Sequence, residues 1–307
     1  MIAILIPFFL VAQVPVDENA WKFGPEYTFQ VNANLTANSE NEVGLTSNTT
    51  ALLRCRPKDT NALSCHLENP ECFKSTYDKT QGINSTEIRR HPLSLDQFEI
   101  NFNSTGVNSI VVPKNISILN LNIIKSFVNL LSIGANLSEK QNQAEFEAKE
   151  NSTIGECKVN FKITHKSKEQ SARKDSPFVL DILPLPDKVS KGSVEIEKIR
   201  KLKDCTNFVN YLWGNFGDDK ANSTEVGIDT QLDSVIVRIN ITDRSFCAHT
   251  NTEAIKGLDS KKRKFKVLEK ISLTLKAIEA AKDKLPGISN PGTTPILTKI
   301  NVQEAKA

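Results

Sequence analysis

Apolar and polar residues alternate with a period of two along most of this 307-residue chain. That period predicts β-strands that bury one face and expose the other. The predicted buried faces are Tyr27, Phe29, Val31, Ala33 and Leu35; Phe98, Ile100 and Phe102; Cys157, Val159, Phe161 and Ile163; and Val235, Val237, Ile239 and Ile241. Turn signals separate such stretches along nearly the whole chain, which favours an antiparallel barrel or sandwich over alternating strands and helices.

Residues 117–134 have a helical period instead and read SILNLNIIKSFVNLLSIG. Ser117 is suited to cap this helix and Gly134 to end it, giving about 16 residues and roughly 24 Å. The apolar side chains cover an arc of roughly 200°, about twice what a surface helix needs. We therefore predict an enclosed helix, whose barrel-core residues are Ile123, Ile124, Phe127, Leu130 and Leu131. The predicted fold is mainly β, an antiparallel β-barrel wrapped around one central α-helix.

A membrane-active amphipathic helix is the alternative interpretation of this stretch. Such a helix carries a broad cationic face. The polar strip of residues 117–134 consists of Asn122, Lys125, Ser126 and Asn129, so it offers a single cation. The core position is the better interpretation.

The N-terminus and the glycosylation motifs both indicate secretion. Residues 2–12, IAILIPFFLVA, are too short to span a bilayer but typical of a signal peptide, with cleavage predicted after Ala12. A buried N-terminal strand is the alternative. No later run is long enough for a transmembrane helix, so we expect a soluble extracellular product and not an integral membrane protein. Predicted glycosylation sites are the sequon residues Asn34, Asn48, Asn84, Asn103, Asn115, Asn136, Asn151, Asn222 and Asn240.

The cysteine count agrees with an oxidising compartment. The chain has six cysteines, Cys55, Cys65, Cys72, Cys157, Cys205 and Cys247. An even number in a secreted chain predicts disulfides. Residues 51–68 read as two strands around a Pro57–Thr60 turn, which would bring Cys55 and Cys65 opposite each other. A zinc site is the weaker alternative, because no CxxC occurs and His66 is the only histidine near Cys65 and Cys72.

The C-terminal part is ambiguous in its local pattern. Between Lys261 and Leu285 the apolar residues fit a strand or a helix equally well. From Pro286 onwards, Pro-Gly and Thr-Thr-Pro predict a loose tail. The predicted organisation is a signal peptide over 1–12, one β-barrel domain over 13–285 and a flexible tail over 286–307.

Motifs for catalysis are missing from the sequence. No G-x-S-x-G, H-E-x-x-H or P-loop occurs, and the four histidines are scattered. We therefore expect no catalytic residues, no metal, no cofactor and no enzyme activity. The net charge of +3 predicts no particular partner. One basic cluster, Lys261, Lys262, Arg263, Lys264 and Lys266, could contact a polyanion or a receptor, or simply form a solvated loop and strand edge. Nucleic acid is not an expected partner of an extracellular protein.

The order of these motifs resembles the N-terminal β-barrel domain of the large lipid transfer proteins, above all insect vitellogenins. The resemblance starts at WKFGPEYTFQVN and continues through DQFEINFNSTGVNSIVVPKNISILNLNIIKSFVNLL, IGECKVNF and VEIEKIRKLKDC. It extends from about Trp21 to Ile278. The resemblance implies a central helix inside the barrel, a strand over 261–276 and a disulfide between Cys157 and Cys205. Cys55 with Cys65 is our choice among the other four, and pairings with Cys72 and Cys247 remain open.

In that family, a helical arch and large sheets beyond the barrel enclose the lipid. The resemblance therefore implies a secreted vitellogenin-like glycoprotein of lipid transport or nutrient delivery that lacks the main lipid cavity. The alternative is a receptor- or partner-binding module, or a storage glycoprotein, without bound lipid. The partners implied by the resemblance are lipid and a cell-surface receptor of the vitellogenin-receptor type.

Overall fold

The computed structural model describes residues 1–15, 21–39, 43–78, 82–89, 94–140, 144–167, 177–183, 192–212, 230–257 and 264–298. In these ranges the fold is mainly β, as predicted, with one α-helix. The strands, in chain order, are β1 (Ile2–Ile6), β2 (Leu10–Gln13), β3 (Pro25–Ser39), β4 (Val43–Asp59), β5 (Ala62–Asp78), β6 (Ile83–Arg89), β7 (Phe98–Asn103), β8 (Gly106–Pro113), β9 (Glu145–Ser152), β10 (Gly155–Ser167), β11 (Val179–Ile182), β12 (Gly192–Thr206), β13 (Thr230–Thr242), β14 (Ser245–Gly257), β15 (Lys264–Ala280) and β16 (Pro291–Pro295).

Thirteen of these strands form one antiparallel sheet. Its order is β16-β8-β7-β5-β4-β3-β15-β14-β13-β12-β10-β9, and β6 pairs with β5 beside this path. Among the described residues, no strand pair joins the two ends of the path, so closure into a barrel stays a prediction. A backbone hydrogen bond of 2.9 Å from Thr298 N to Thr153 O does link the chain after β16 to the β9–β10 turn.

The predicted strand registers are confirmed where they were specified. The inward residues of β3, β7, β10 and β13 are those that alternation indicated, and Tyr27, Phe29 and Ile239 are fully buried. Cys55 and Cys65 lie directly opposite each other in the β4–β5 hairpin. Residues 264–280 form a strand, β15, which pairs with β3 and β14. The strand interpretation of the ambiguous stretch is therefore the correct one there.

The helix α1 runs from Ile118 to Val128 and continues as a 3-10 turn over Asn129–Leu131. Ser117 caps it by accepting a hydrogen bond from Asn120 N, as predicted. The helical segment is shorter than expected because Ser132 already has an extended backbone. Every residue from Leu121 to Leu131 is buried, including the whole polar strip, so the enclosure is more complete than the apolar arc alone indicated.

The N-terminal apolar run forms strands in this structure. β1, β2 and β11 make a separate three-stranded sheet. Leu5, Ile6 and Leu10 belong to the main hydrophobic core. This arrangement is the buried-strand alternative to a signal peptide. Cleavage after Ala12 remains a prediction.

The C-terminal segment differs from the predicted loose tail. β16 pairs with β8, and Ile296 and Thr298 beyond it are buried. Pro291 and Pro295 lie at the two ends of β16, an edge strand that pairs with β8 alone among the described strands, and a missing N–H is tolerated on such a strand. Residues 299–307 lie outside the described part of the chain.

Candidate functional site: a filled interior and an outer groove

The inner surface of the large sheet packs on the helix. Ile123, Ile124, Phe127, Leu130 and Leu131, the predicted barrel-core residues, are at most 3% exposed. One cavity, between the β1–β2 turn and residues 131–137, has a volume of only about 10 Å³. That volume holds about one water molecule. Between the β1–β2 turn and residues 131–137, the described side chains therefore leave almost no open space.

Three charged side chains lie buried where the helical segment ends. The Glu150 carboxylate on β9 accepts from Lys198 Nζ at 2.7 Å and from Arg200 Nη2 at 3.0 Å, both on β12. Lys198 Nζ also donates to Ser132 O at 2.9 Å, so the cluster binds the chain just after the 3-10 turn. A cation suits this position, because the carbonyl end of a helix carries partial negative charge.

This buried charge cluster is electrostatically unbalanced. It combines two cations with one carboxylate, and the side chains are at most 1% exposed. Burial lowers the pKa of Lys198, although the Glu150 carboxylate favours its charged form. Among the described residues, Arg200 Nε has no hydrogen-bond partner. The cluster thus depends on Glu150, which is the acceptor shared by both cations.

Gly134 is required beside this cluster. Its φ is +86°, and a Cβ there would lie 2.6 Å from the Glu150 carboxyl group. The sequence did predict a glycine with left-handed backbone at this position. It did not reveal the buried charges. Continuing the inward register of Val194 and Ile196 by two and four residues would have pointed to Lys198 and Arg200.

A second buried lysine connects the helix to the C-terminal segment. Lys125 is 0% exposed and donates through Nζ to Leu297 O. In the sequence, Lys125 is the single cation of the polar strip. The segment after β16 covers it.

A groove with a volume of about 250 Å³ lies on the outer face of β3, β4 and β5. Arg54, Arg56, Ser64 and His66 form its floor, beside Glu26. Leu95 and Gln97 line one wall, and Asp283 and Pro286 line the other. The Cys55–Cys65 disulfide supports this floor from within, because both cysteines point into the core between the outward floor residues.

Charges of opposite sign alternate across this outer groove. Glu26 accepts from Arg54 Nη1 at 3.0 Å and from Arg56 Nε at 2.8 Å. Arg54 Nε also donates to Glu68 at 2.7 Å, and Arg56 Nη2 donates to Asp283 at 2.6 Å. The hydrogen bond to Glu68 raises the pKa of Arg54, and the hydrogen bond from Arg56 lowers the pKa of Asp283. The Arg54 guanidinium and the Asp283 carboxylate therefore stay charged over a wide pH range.

Comparison with known proteins gives the family. The model of the vitellogenin N-terminal domain matches residues 21–283. The chain belongs to the vitellogenin N-terminal domain family. A solved structure of lipovitellin, described for its lipid–protein interactions, has a TM-score of 0.61 and 13% sequence identity, covering 91% of this chain and 28% of that chain. At that identity the likeness concerns the fold.

A second solved structure, the low-pH structure of OprB from Pseudomonas putida, matches less well. Its TM-score is 0.25 at 8% identity, with 83% of this chain and 94% of that chain covered. That likeness carries no argument about this vitellogenin-type domain. None of the helices in the described part of the chain has the length and apolar character that a membrane crossing needs.

Both expected disulfides are present in this vitellogenin-type domain. Cys55 bonds Cys65, and Cys157 bonds Cys205 across β10 and β12. Cys72 is buried and Cys247 is half-buried, and both are free thiols. Of the pairings left open for the other four cysteines, the structure thus has the predicted one, Cys55 with Cys65.

The glycosylation motifs lie mostly on the surface. Among the described side chains, Asn34, Asn48, Asn103, Asn115 and Asn151 are exposed, and Asn136 and Asn240 are half-buried. The Asn84 side chain and Asn222 lie outside the part of the chain that the structure describes. Asn34 and Asn48 face each other directly across β3 and β4, so their Cβ atoms lie about 5 Å apart. Glycan attachment stays a prediction at all nine positions.

The basic cluster is only partly described. Lys261, Lys262 and Arg263 lie outside the described residues. Lys264 and Lys266 are exposed at the start of β15, and Lys266 Nζ lies 3.7 Å from a Glu253 carboxylate oxygen. These lysines on β15 lie apart from both sites described above. The strand β3 separates β15 from the groove residues of β4, and the strands β14 and β13 separate it from the buried charges of β12.

Proposed function

We propose that this domain is a secreted glycoprotein of lipid transport that acts through contacts on its outer surface and holds no lipid load inside its sheet. The observation that carries the proposal is the enclosed helix, whose buried side chains occupy the interior from Leu121 to Leu131. The chain spans 28% of the lipovitellin chain that it resembles, so the lipid–protein interactions of that whole chain are not part of this proposal. The proposed function is non-enzymatic, since the sequence has no catalytic motif.

The test is the lipid content of the purified protein. The chain is secreted from insect cells and purified, and its bound lipids are extracted and quantified by mass spectrometry. We expect substoichiometric lipid. One or more moles of phospholipid or acyl lipid per mole of protein, resistant to gel filtration, would contradict the filled interior.

Secretion and glycosylation are tested on the same sample. We expect the N-terminal peptide of the secreted protein to start at Gln13, and we expect glycosidase treatment to lower its mass. Peptides that contain residues 2–12 would favour the buried N-terminal strand that the structure shows.

A receptor-binding module is the second candidate function. The exposure of Lys264 and Lys266 favours it, because exposed lysines can attract an acidic receptor face. A Lys264→Glu, Lys266→Glu variant should bind receptor-bearing cells less tightly than a control, Lys149→Glu, Lys162→Glu, at other exposed lysines. Equal binding by both variants would remove the basic cluster as the contact. No specific binding by the parent protein, together with high abundance, would indicate a storage glycoprotein.

A further inference from the structure

The outer groove has features of a binding site that the packing of the sheet does not require. It is the larger of the two cavities discussed, and its floor is made of side chains that point away from the core. Arg54 uses Nε and Nη1 for Glu68, Glu26 and Thr28. Among the described residues, Arg54 Nη2 donates to no acceptor, and the Asp283 side chain is 76% exposed. An unused guanidinium donor and an accessible carboxylate therefore border one concave space.

These groups favour a ligand that carries both charges. A simple anion at Arg54 would meet repulsion from Glu26 and Asp283, and a simple cation would meet Arg54 and Arg56. A zwitterion can place its anion at Arg54 and His66 and its cation at Asp283.

We propose that the outer groove binds a phosphoethanolamine headgroup. The guanidinium donor suits a phosphate, because charge-assisted hydrogen bonds from arginine to phosphate oxygens are strong and directional. A primary ammonium has N–H donors for the Asp283 and Glu26 carboxylates. Quaternary ammonium groups such as choline are recognised by cages of Phe, Tyr and Trp rings instead, and none of these three residue types is among the described residues that line this groove. Leu95, which lines the groove and is 58% exposed, provides an apolar contact for the rest of a lipid.

Headgroup binding by the outer groove rests on the proposed function in one respect, which is that a protein of lipid transport meets lipids that carry this headgroup. Lipid extraction reports what the protein carries after purification, whereas a titration reports binding to the groove. A protein without bound lipid can therefore still bind the headgroup, and a protein that carries lipid can fail to bind it. The two hypotheses fail separately.

The test is calorimetric titration of the secreted, purified full chain with glycerophosphoethanolamine. We expect saturable binding, about tenfold or more tighter than that of glycerophosphocholine or inorganic phosphate. Arg54→Gln and Asp283→Asn should each weaken it by about tenfold or more. Asp283 is mostly exposed, so its replacement tests the site even where the Arg54 variant folds poorly. The control is Arg238→Gln. Arg238 also forms an ion pair on the sheet, with Glu197 on β12, but it does not line the groove, so this variant should bind as the parent protein does.

Vesicles then identify the source of the headgroup. Co-flotation with phosphatidylethanolamine-containing vesicles, but not with pure phosphatidylcholine vesicles, would assign the groove to a lipid surface. Binding of glycerophosphoethanolamine without co-flotation would assign it to the free headgroup. Absence of saturable binding, equal binding of all three small molecules, or full binding by the Asp283→Asn variant would overturn the proposal.

Discussion

At the scale of single residues, Glu150 has the largest expected effect on stability. Its carboxylate is the acceptor shared by Lys198 and Arg200 in a site with almost no solvent exposure. Truncating one partner of a buried ionic group leaves the others uncompensated. We expect Glu150→Gln to lower the free energy of unfolding by about 3–5 kcal/mol, measured by urea denaturation.

Two further variants separate charge from packing at Glu150. Glu147→Gln changes an exposed glutamate on the same strand, where ion pairs contribute little, so the unfolding curve should barely move. Replacing Glu150, Lys198 and Arg200 together by methionine removes all three charges. Buried ion clusters are often replaced by apolar residues without loss, so this triple variant should be more stable than Glu150→Gln. If it is less stable, the unpaired-charge explanation is wrong.

His249 gives the clearest pH dependence. Burial, followed by the nearby cations Lys270 and Arg238, lowers the pKa of His249 from 6.5. The unfolded chain therefore binds the proton first as the pH falls below about 6.5, and stability falls until the folded protein is protonated too. Between about pH 7.5 and the lowered pKa, the free energy of unfolding of the His249→Asn variant should therefore depend less on pH than that of the parent protein. Titration of the imidazole resonances by NMR gives the shift directly, and a midpoint at or above 6.5 in the folded protein would refute the expectation.

At the scale of elements, β16 and the residues after it hold the helix in place from the C-terminal side. Truncation after Asn290 removes β16, which is one of the two strands paired with β8, together with the buried Ile296 and the carbonyl acceptor of Lys125. Burying one isoleucine and satisfying one buried cation are together worth at least about 3 kcal/mol, so we expect a loss of stability of that size in urea denaturation. Truncation after Thr298 keeps every one of these contacts and is the control. Equal stability of the two truncated chains would show that β16 contributes nothing.

At the scale of the whole molecule, strands with one apolar face are the elements that the sequence predicts most accurately. Tyr27 to Leu35 and Val235 to Ile241 alternate in their own sequence, so the register follows from local information. β9 and β14 escaped prediction because both are rich in polar residues and become strands through their neighbours. β16 depends on pairing with β8, about 180 residues earlier along the chain. Lys198 and Arg200 were missed because charged residues are rarely buried unless paired, and Glu150, their partner, lies on a different strand.

The same limits apply to the outer groove. Its floor comes from the β4–β5 hairpin, which the sequence predicts, but Glu26, Leu95 and Asp283 come from three distant segments. No local period brings such residues together. The family assignment from ordered motifs needed no such contacts, which is why it was confirmed over residues 21–283.

The sheet order also predicts the state of the remaining cysteines. Cys72 lies on β5 and Cys247 on β14, with β4, β3 and β15 between them. Cys72 pairs with Thr49 on β4, and Cys247 pairs with Thr274 on β15. Neighbouring strands are about 4.8 Å apart, and a disulfide needs Cα atoms within about 7 Å. Cys72 is buried, whereas Cys247 follows the buried Phe246 and precedes the buried Ala248, so it points to the outer face. This order of strands excludes a bond between the two thiols.

We therefore expect two free thiols per chain when the unreduced protein is denatured and alkylated, with peptide mapping to Cys72 and Cys247. Under native conditions Cys247 should react first, because Cys72 is only 7% exposed. Cys247→Ser removes the fast phase and serves as the control, while Cys72→Ser leaves it intact. A peptide in which Cys72 is joined to Cys247 would mean that the sheet has another strand order. The measurement thus tests the path from β5 to β14 on which the helix enclosure and the outer groove both depend.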